Sequence, residues 1–402
     1  MIAGLSVSAI VELGRSIESA WSAREFDLRA FPGLCVERLQ AARLHEAVEP
    51  DDVIRWGLTT ADLPAQLDPK STFGQPPLTV FRGRRFVIDV LFWVDATTAI
   101  HDHGFSGAFS VLAGSSIETT FAFAVSQDFD GRFRLGELGV QGTTLRRAGD
   151  VAAISAGPGF IHSLFHLQRP SVSVVVRTFA DPATGLQFRY HRSGFAHQER
   201  FEDEVRDRQV QLVDLMLQTE HPSFEVRAGD LIAQGDLHTA FAVVRACHRV
   251  RDPRVQERLV ERFRDRRIAA MFHDWLLQER RLTMLRRARA DVTDAQLRFV
   301  LAVLMNAHRR ADALSLVAAF VPSEDPARWV ARSLKQLSTL TLRLQVRNLP
   351  LEPNILGLPA FEEGFEEALA TALAGGARGR NEPERQFIAR LAELPVLAPL
   401  FR

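Results

Sequence analysis

The spacing of apolar residues along the chain changes twice, near residues 75 and 200. Before the first change, apolar positions recur every three or four residues, which is the period of an amphipathic helix. Between the changes, short apolar runs alternate with turns rich in glycine and proline. The helical period then returns and continues to the C-terminus. We therefore expect a helical segment over 1–75, a β-domain over 76–199 and a helical domain over 200–402.

The middle segment predicts a small barrel or sandwich. Runs such as 86–94 (FVIDVLFWV) and 172–179 (VSVVVRTF) have the length and the β-branched and aromatic content of strands. The glycines from Gly114 to Gly159 indicate turns between further short strands. Many short strands with regular turns are typical of antiparallel sandwiches and barrels. The expected fold class is a multidomain α+β protein, with a central β-barrel between an N-terminal helical segment and a large all-α C-terminal domain.

Charge and cysteine content narrow the class of protein. The 402 residues carry 49 basic and 49 acidic side chains, so no net field draws the chain to nucleic acid or to an anionic membrane. Two cysteines, Cys35 and Cys247, make neither a disulfide framework nor a cysteine-rich metal site. Apolar runs are far shorter than a membrane span. We expect a cytoplasmic protein without nucleic-acid or membrane partners, with a homodimer through the helical domain as the candidate assembly.

Three histidines of the middle segment have the spacing of metal ligands. His101 and His103 are separated by one residue, and alternate residues of a strand point to the same face. Further along, a Gly-Asp turn, a short strand and a Pro-Gly turn precede His162. Because neutral imidazole is the commonest metal ligand at physiological pH, the pattern predicts one divalent metal bound by these three side chains. The alternatives are a surface pair for the first two and a hydrogen-bonded core histidine for the third.

This arrangement resembles the metal-binding pattern of the cupin superfamily and, within it, the thiol dioxygenases such as cysteine dioxygenase. The stretch Ile100-His101-Asp102-His103, the later Gly114 and Glu118-Thr119, and the distant His162 carry the resemblance over roughly residues 78–197. The resemblance implies a cupin barrel, an iron(II) ion bound by three histidines, and dioxygen as the co-substrate that oxidises a thiol to a sulfinic acid. Nickel, manganese and zinc are other metals that suit three imidazoles.

The fourth ligand of many cupins is a glutamate four or five residues after the second histidine. Gly107 and Ala108 hold those positions here, so that carboxylate is missing. We expect Glu118 to be a surface residue or a cross-strand partner instead. The predicted site is then a neutral three-histidine face, which leaves coordination positions for substrate and dioxygen.

The residues expected to handle substrate depart from the family. Thiol dioxygenases carry Ser, His and Tyr at alternate positions of a later strand, where this chain has Val175, Arg177 and Phe179. An inward Arg177 would bind a carboxylate or phosphate group, and the alternative is a solvent-facing side chain. The closing strand offers two further catalytic candidates, Tyr190 and His191, of which we expect His191 to face the barrel. The predicted substrate contacts are Arg82, Trp93, Phe105 and Phe179.

The sequence therefore predicts a mononuclear non-haem iron(II)-dependent oxygenase that acts on a thiol or a related substrate. The large helical part favours a substrate that is bound to a peptide or a carrier. One alternative is a metal-binding cupin with a non-oxidative reaction such as isomerisation or hydrolysis. Another is a binding or regulatory protein, and the missing Ser-His-Tyr set is the feature in its favour.

Overall fold

A computed structural model of the chain describes residues 2–67, 73–94, 97–182, 184–185, 187–199, 203–248, 252–340, 344–346, 349–351 and 355–402. The N-terminal part is helical, as predicted. Its helices are α1 Ile2–Ser22, α2 Phe31–Ala42, α3 Leu44–Ala47 and α4 Pro50–Thr59. Pro50 is the first residue of α4. Proline is tolerated there because the N–H groups of the first turn make no hydrogen bond within the helix.

Strands β1 to β11 follow between residues 77 and 198. Their bounds are β1 Pro77–Arg82, β2 Phe86–Trp93, β3 Ile100–His103, β4 Gly107–Ala113, β5 Ser115–Phe129, β6 Phe133–Arg147, β7 Val151–Ile154, β8 Gly157–His166, β9 Ser171–Thr178, β10 Phe188–His191 and β11 Phe195–Gln198. They form two antiparallel layers. One is a five-stranded sheet with the order β1-β2-β9-β4-β7, and the other is a closed barrel with the order β10-β11-β6-β5-β8-β3.

The hairpin of β5 and β6 is longer than the sequence predicts. Three glycines expected to mark turns, Gly136, Gly139 and Gly142, lie inside β6. At Gly136 a Cβ atom would lie only 2.3 Å from the carbonyl oxygen of Ala124 on β5, so only glycine permits this close approach of the two strands. At Gly136 the glycine therefore marks a backbone contact within the sheet rather than a turn.

Both faces of the five-stranded sheet are buried, and each face packs on a different layer. On β9, Val172, Val174 and Val176 belong to a buried cluster with residues of α1, α2 and α4. Val175, which points to the opposite face, packs with Trp93 of β2 and other residues between the sheet and the closed barrel. The side chains of β9 from Ser171 to Val176 are buried because both of its faces are covered.

The C-terminal part is helical apart from one short hairpin. Its helices are α5 Glu204–Gln218, α6 Phe224–Gln234, α7 Leu237–Cys247, α8 Pro253–Val260, α9 Arg266–Asp291, α10 Ala295–Asn306, α11 Arg310–Phe320, α12 Pro326–Ser338, α13 Phe365–Leu373, α14 Glu382–Glu393 and α15 Ala398–Phe401, and the hairpin pairs β12 Leu344–Val346 with β13 Leu349–Leu351. Aspartate side chains accept a backbone N–H at the starts of several of these helices, a contact that contributes about 1 kcal/mol each. The helical period of the sequence did not predict α6, the short α15 or the hairpin.

The helices cover two sides of the closed barrel. Ile117 and Phe165 of the barrel are fully buried in a cluster with α9 to α14, and Phe133 and Phe195 are buried in a cluster with α5 to α9. Fully burying one such side chain contributes about 1.5–3 kcal/mol. The predicted fold class, a central β-barrel between an N-terminal helical segment and a large helical C-terminal part, is confirmed. In the described part of the chain, no helix has the length and apolarity needed to cross a membrane.

Candidate metal centre

The three predicted metal ligands lie together on one face of two neighbouring strands. Strands β3 and β8 pair so that His101 is directly opposite His162, and the two-residue period places His103 on the same face. One ring nitrogen from each histidine can be chosen so that all lie within 4.8 Å of one another. The three rings are 3–4% exposed, and they face the layer between the closed barrel and the five-stranded sheet, where Phe109 lies 6.2 Å from the ring of His162.

Backbone and carboxylate contacts fix which nitrogen two of the histidines present. The Nδ1 atom of His101 is 2.8 Å from the carbonyl oxygen of Ala99, so it carries the proton and leaves Nε2 with a free lone pair. The Nδ1 atom of His162 is likewise 2.9 Å from Oε1 of Glu118. Both rings therefore turn Nε2 toward the centre of the group.

Two nitrogens of this group have no hydrogen-bond partner. His101 Nε2 and His103 Nδ1 are buried and unpaired within the described structure. Leaving a buried polar atom unpaired costs roughly 1–3 kcal/mol, so such atoms call for a ligand. Burial is the main cause that lowers the pKa of all three imidazoles, and it keeps their lone pairs available at neutral pH. A neutral, converging nitrogen set fits a divalent metal ion.

Glu118 is not at the surface, and it is the cross-strand partner that the second expected alternative described. It is 1% exposed, and β5 brings it beside His162 through the pairing of β5 with β8. Its second oxygen accepts hydrogen bonds from Nε and Nη2 of Arg146, at 2.8 and 2.6 Å. Burial raises the pKa of Glu118, and the guanidinium opposes that shift. A carboxylate in this position orients a metal-binding histidine and raises its basicity. Only the strand register, which the sequence does not state, reveals this contact.

Phenylalanine rings border the histidines. Phe105 lies 5.0 Å from the ring of His103, Phe160 lies 4.6 Å from that of His162, and Phe73 lies 6.0 Å from that of His101. Phe73 is 46% exposed, so the group is closest to solvent on this side. The wall is apolar, which favours a dry site.

Two of the predicted substrate-handling residues lie in the same layer as the histidines. Arg177 points inward, and its Nε donates to Oδ2 of the buried Asp89 at 2.8 Å. Its guanidinium also lies 5.3 Å from the ring of Phe105, which in turn contacts His103. Trp93 is 3% exposed and stacks on His166 at 4.4 Å, with its Nε1 donating to Ser173. Arg177 is therefore already paired with a carboxylate.

Arg82 and Phe179 lie together at the tip of the β1–β2 hairpin. Arg82 is exposed, and its guanidinium is 4.8 Å over the Phe179 ring. Within the described residues, neither side chain makes a hydrogen bond or ring contact with the three histidines. Their predicted role in binding substrate therefore has no support from their position.

Tyr190 and His191 face opposite ways, and the expected assignment is reversed. Tyr190 points into the closed barrel, where its hydroxyl donates to Oδ2 of Asp102 at 2.8 Å. His191 points toward the helices, where Nε1 of Trp275 donates to its Nδ1 at 3.0 Å. Strand alternation predicts that the two residues diverge, but the side that is enclosed depends on how the barrel closes around β10. The prediction that His191 faces the barrel is wrong.

Likeness to known proteins is found among solved structures alone. No protein-family model matches the chain, and no curated protein matches it. Solved structures that resemble it include a cupin-2 domain protein from Shewanella frigidimarina NCIMB 400, with 12% identity, 26% of this chain and 81% of that chain covered, and a TM-score of 0.18. A cupin-superfamily sugar phosphate isomerase from Silicibacter pomeroyi DSS-3 shares 17% identity, with 31% and 75% covered and a TM-score of 0.20.

A further match is hydroquinone 1,2-dioxygenase from Sphingomonas sp. TTNP3, solved with 4-hydroxybenzoate bound. It shares 14% identity, with 26% of this chain and 66% of that chain covered, and a TM-score of 0.21. All three matches cover less than a third of this chain. The chemistry of the site therefore has to be argued from its own residues.

Proposed function

We propose that the protein is a mononuclear non-haem iron(II)-dependent oxygenase, in which His101, His103 and His162 hold the metal. The substrate is a thiol or a related compound, and it is larger than a free amino acid. The observation that carries the metal site is the convergence of three buried imidazoles, two of which present nitrogens without a partner. The choice of iron and of a thiol rests on the resemblance to thiol dioxygenases.

The protein's own residues would prepare the site before any ligand arrives. The carbonyl of Ala99 and the carboxylate of Glu118 fix the tautomers of two histidines, and Arg146 holds that carboxylate in place. When bound, iron(II) supplies open coordination positions and redox chemistry. Because the three ligands are neutral, the site keeps a double positive charge and favours an anionic donor such as a thiolate.

The phenylalanines beside the histidines would limit access of water. Phe105 and Phe160 flank His103 at ring distances of 5.0 and 5.7 Å, so that edge of the group is apolar. Phe73, on the exposed side, would contact a substrate as it enters. A dry pocket strengthens the electrostatic interactions made inside it.

Metal analysis is the first test of this proposal. Protein purified without added metal, then titrated with iron(II) under anaerobic conditions, is expected to bind one ion per chain. The variants His101→Ala, His103→Ala and His162→Ala should each lose that ion, whereas His221→Ala, at an exposed histidine of the helical part, should keep it. Retention of the ion by any of the first three variants would contradict the ligand set.

Oxygen consumption is the second test. The iron(II)-loaded protein is expected to consume dioxygen with at least one member of a panel of small thiols, thiol-bearing peptides and carrier-bound thiols. The ligand variants should be inactive. If the loaded protein binds one iron but consumes no dioxygen with the whole panel, the oxygenase proposal fails and the metal site stands.

A second candidate function is metal binding without oxidation, in a non-oxidative reaction or a regulatory role. The position of Tyr190 favours it, because the chain's only tyrosine hydroxyl is bound to Asp102 on the far face of β3. That hydroxyl is therefore not available for handling a proton beside the histidines. This candidate predicts an iron(II)-bound protein that consumes no dioxygen with any thiol and is stabilised against unfolding by its metal.

A further inference from the structure

A row of polar side chains runs across four strands of the closed barrel and includes two of the metal-binding histidines. His197 on β11 is directly opposite Arg189 on β10, Arg189 is opposite His101 on β3, and His101 is opposite His162 on β8. Residues directly opposite on antiparallel strands share a face, with Cβ atoms about 4.5–5.5 Å apart. Arg189 and His197 therefore extend the metal face sideways, toward the seam between the barrel and α7.

Two donors in this row are buried and have no partner. The Nε atom of Arg189 and the Nε2 atom of His197 make no hydrogen bond within the described structure. The tautomer of His197 follows from a chain of contacts. Trp275 donates to Nδ1 of His191, so Nε2 of His191 carries the proton and donates to Nδ1 of His197 at 3.1 Å. Nε2 of His197 is therefore an N–H group that points at no acceptor.

A third cation approaches this row from α7. Arg245 is one helical turn after Phe241, whose ring lies 4.8 Å from that of His197 and 5.9 Å from the guanidinium of Arg245. No hydrogen bond or ion pair of Arg245 occurs among the described residues. Burial is the main cause that lowers the pKa of Arg245, and the guanidinium of Arg189 adds to that shift.

The charges around Arg245 do not balance. The carboxylate of Glu199 pairs with Arg189, and that of Asp207 pairs with Arg206 at 2.8 Å. These four groups form two pairs of opposite charge, and Arg245 has no carboxylate partner among them. One positive charge is left over at a place with two unpaired N–H donors. Arg245 is exposed, so its charge is open to an anion that arrives from solvent, and the two buried N–H groups are the donors that lack an acceptor.

We propose that Arg189, His197 and Arg245 bind one anionic group, a carboxylate or a phosphate, of the substrate. The inference rests on the proposed function for the other end of that substrate, which would lie at the three histidines. Two strand spacings separate His101 from His197, or about 10 Å, so a ligand that spans both places is longer than a free amino acid. Guanidinium and imidazole N–H groups are the usual partners of both anions.

Calorimetric titration of the metal-free full-length protein with sodium phosphate and, separately, sodium acetate tests the anion site. We expect saturable binding of at least one of them at one site per chain. Binding of phosphate alone would assign a phosphate group, and binding of acetate alone would assign a carboxylate. Arg245→Gln and His197→Gln should weaken binding about tenfold or more. Arg208→Gln, which removes an equal charge from an exposed position of α5, should bind as the wild type does.

Absence of binding by both anions, or equal affinity of Arg245→Gln and the wild type, would overturn the anion site. Arg245 is on the outside of a helix, so its variant remains a test even if His197→Gln does not fold. The measurement needs no metal, so it separates the two proposals. If His103→Ala loses iron(II) binding but keeps its phosphate or acetate affinity, both the metal site and the anion site are supported. If the wild type binds an anion but no metal, the anion site stands and the oxygenase proposal fails.

Discussion

The two faces of strand β3 carry two buried polar groups with opposite properties. On one face, His101 and His103 present ring nitrogens that have no partner. On the other, Asp102 lies inside the closed barrel and is fully engaged, since Oδ1 accepts the backbone N–H of Phe188 at 2.7 Å and Oδ2 accepts the hydroxyl of Tyr190 at 2.8 Å. The residues are neighbours in sequence and are buried to the same extent, 3–4% exposed.

The comparison teaches how to separate structure from function among buried polar residues. Asp102 and Tyr190 are hydrogen-bonded to each other, and this pair links β3 to β10. It needs no ligand to satisfy its polar atoms. Burial raises the pKa of both groups, and their mutual hydrogen bond needs the hydroxyl to keep its proton. The histidine face is unsatisfied by protein alone, and so it is the face prepared for a ligand.

The largest effect is expected from removing a ligand on the unsatisfied face. His162→Ala should lower iron(II) affinity by more than a hundredfold. It removes one of three ligands and leaves Oε1 of Glu118 without its hydrogen-bond partner. Anaerobic titration with iron(II) measures this. Asp102→Asn, on the opposite face, is the matched control, and an equal loss of affinity in that variant would erase the distinction between the faces.

Metal addition should stabilise the wild type through the same face. A metal at a hundred times its dissociation constant stabilises the folded state by about 2.7 kcal/mol, because it binds the folded chain only. Thermal unfolding with and without iron(II), and after chelation, measures the change in Tm. Tyr190→Phe should show the same metal-dependent increase as the wild type. A metal-dependent increase that survives in His101→Ala would show that the ion binds elsewhere.

Glu118→Gln should have a smaller effect than loss of a ligand. The amide still fills the space but no longer offers a charged acceptor to Nδ1 of His162, so metal affinity should fall about 10–100-fold. Glu137→Gln, at an exposed position of the same hairpin, is the control. If stability falls in Glu118→Gln while metal affinity holds, the carboxylate serves only to pair with Arg146.

Tyr190→Phe should affect stability alone. The change removes one hydrogen bond to the buried carboxylate of Asp102 and should lower the free energy of unfolding by about 1.5 kcal/mol. Urea denaturation measures this value. Iron(II) affinity should stay within twofold of the wild type, and a drop comparable to that of Glu118→Gln would mean that the two faces of β3 are coupled.

Much of the fold and the ligand set could be predicted from the sequence, because both depend on local spacing. The change of period near residues 75 and 200 marks the helical and β regions, and alternation puts His101 and His103 on one face. The structural role of a single glycine was harder to predict. Gly136 signals a turn by composition, yet it serves a close approach between strands that only the paired structure shows.

Features that depend on strand register could not be predicted. Glu118 lies beside His162 only because β5 pairs with β8, and these positions are far apart in sequence. Whether Tyr190 or His191 is enclosed depends on the direction in which the barrel closes, which alternation leaves open. Arg189 lies opposite His101 for the same kind of reason, so the row that leads to His197 has no local signal.

Anomalous diffraction from crystals grown with zinc, a stand-in that keeps the ligand geometry without redox chemistry, tests the central claim most directly. We predict one strong peak per chain, about 2.0–2.1 Å from Nε2 of His101, Nδ1 of His103 and Nε2 of His162. Asp102 should remain bound to Tyr190 in the same crystals. A zinc-binding protein with no peak among these three nitrogens, or with its peak on the Asp102 side of β3, would contradict the account.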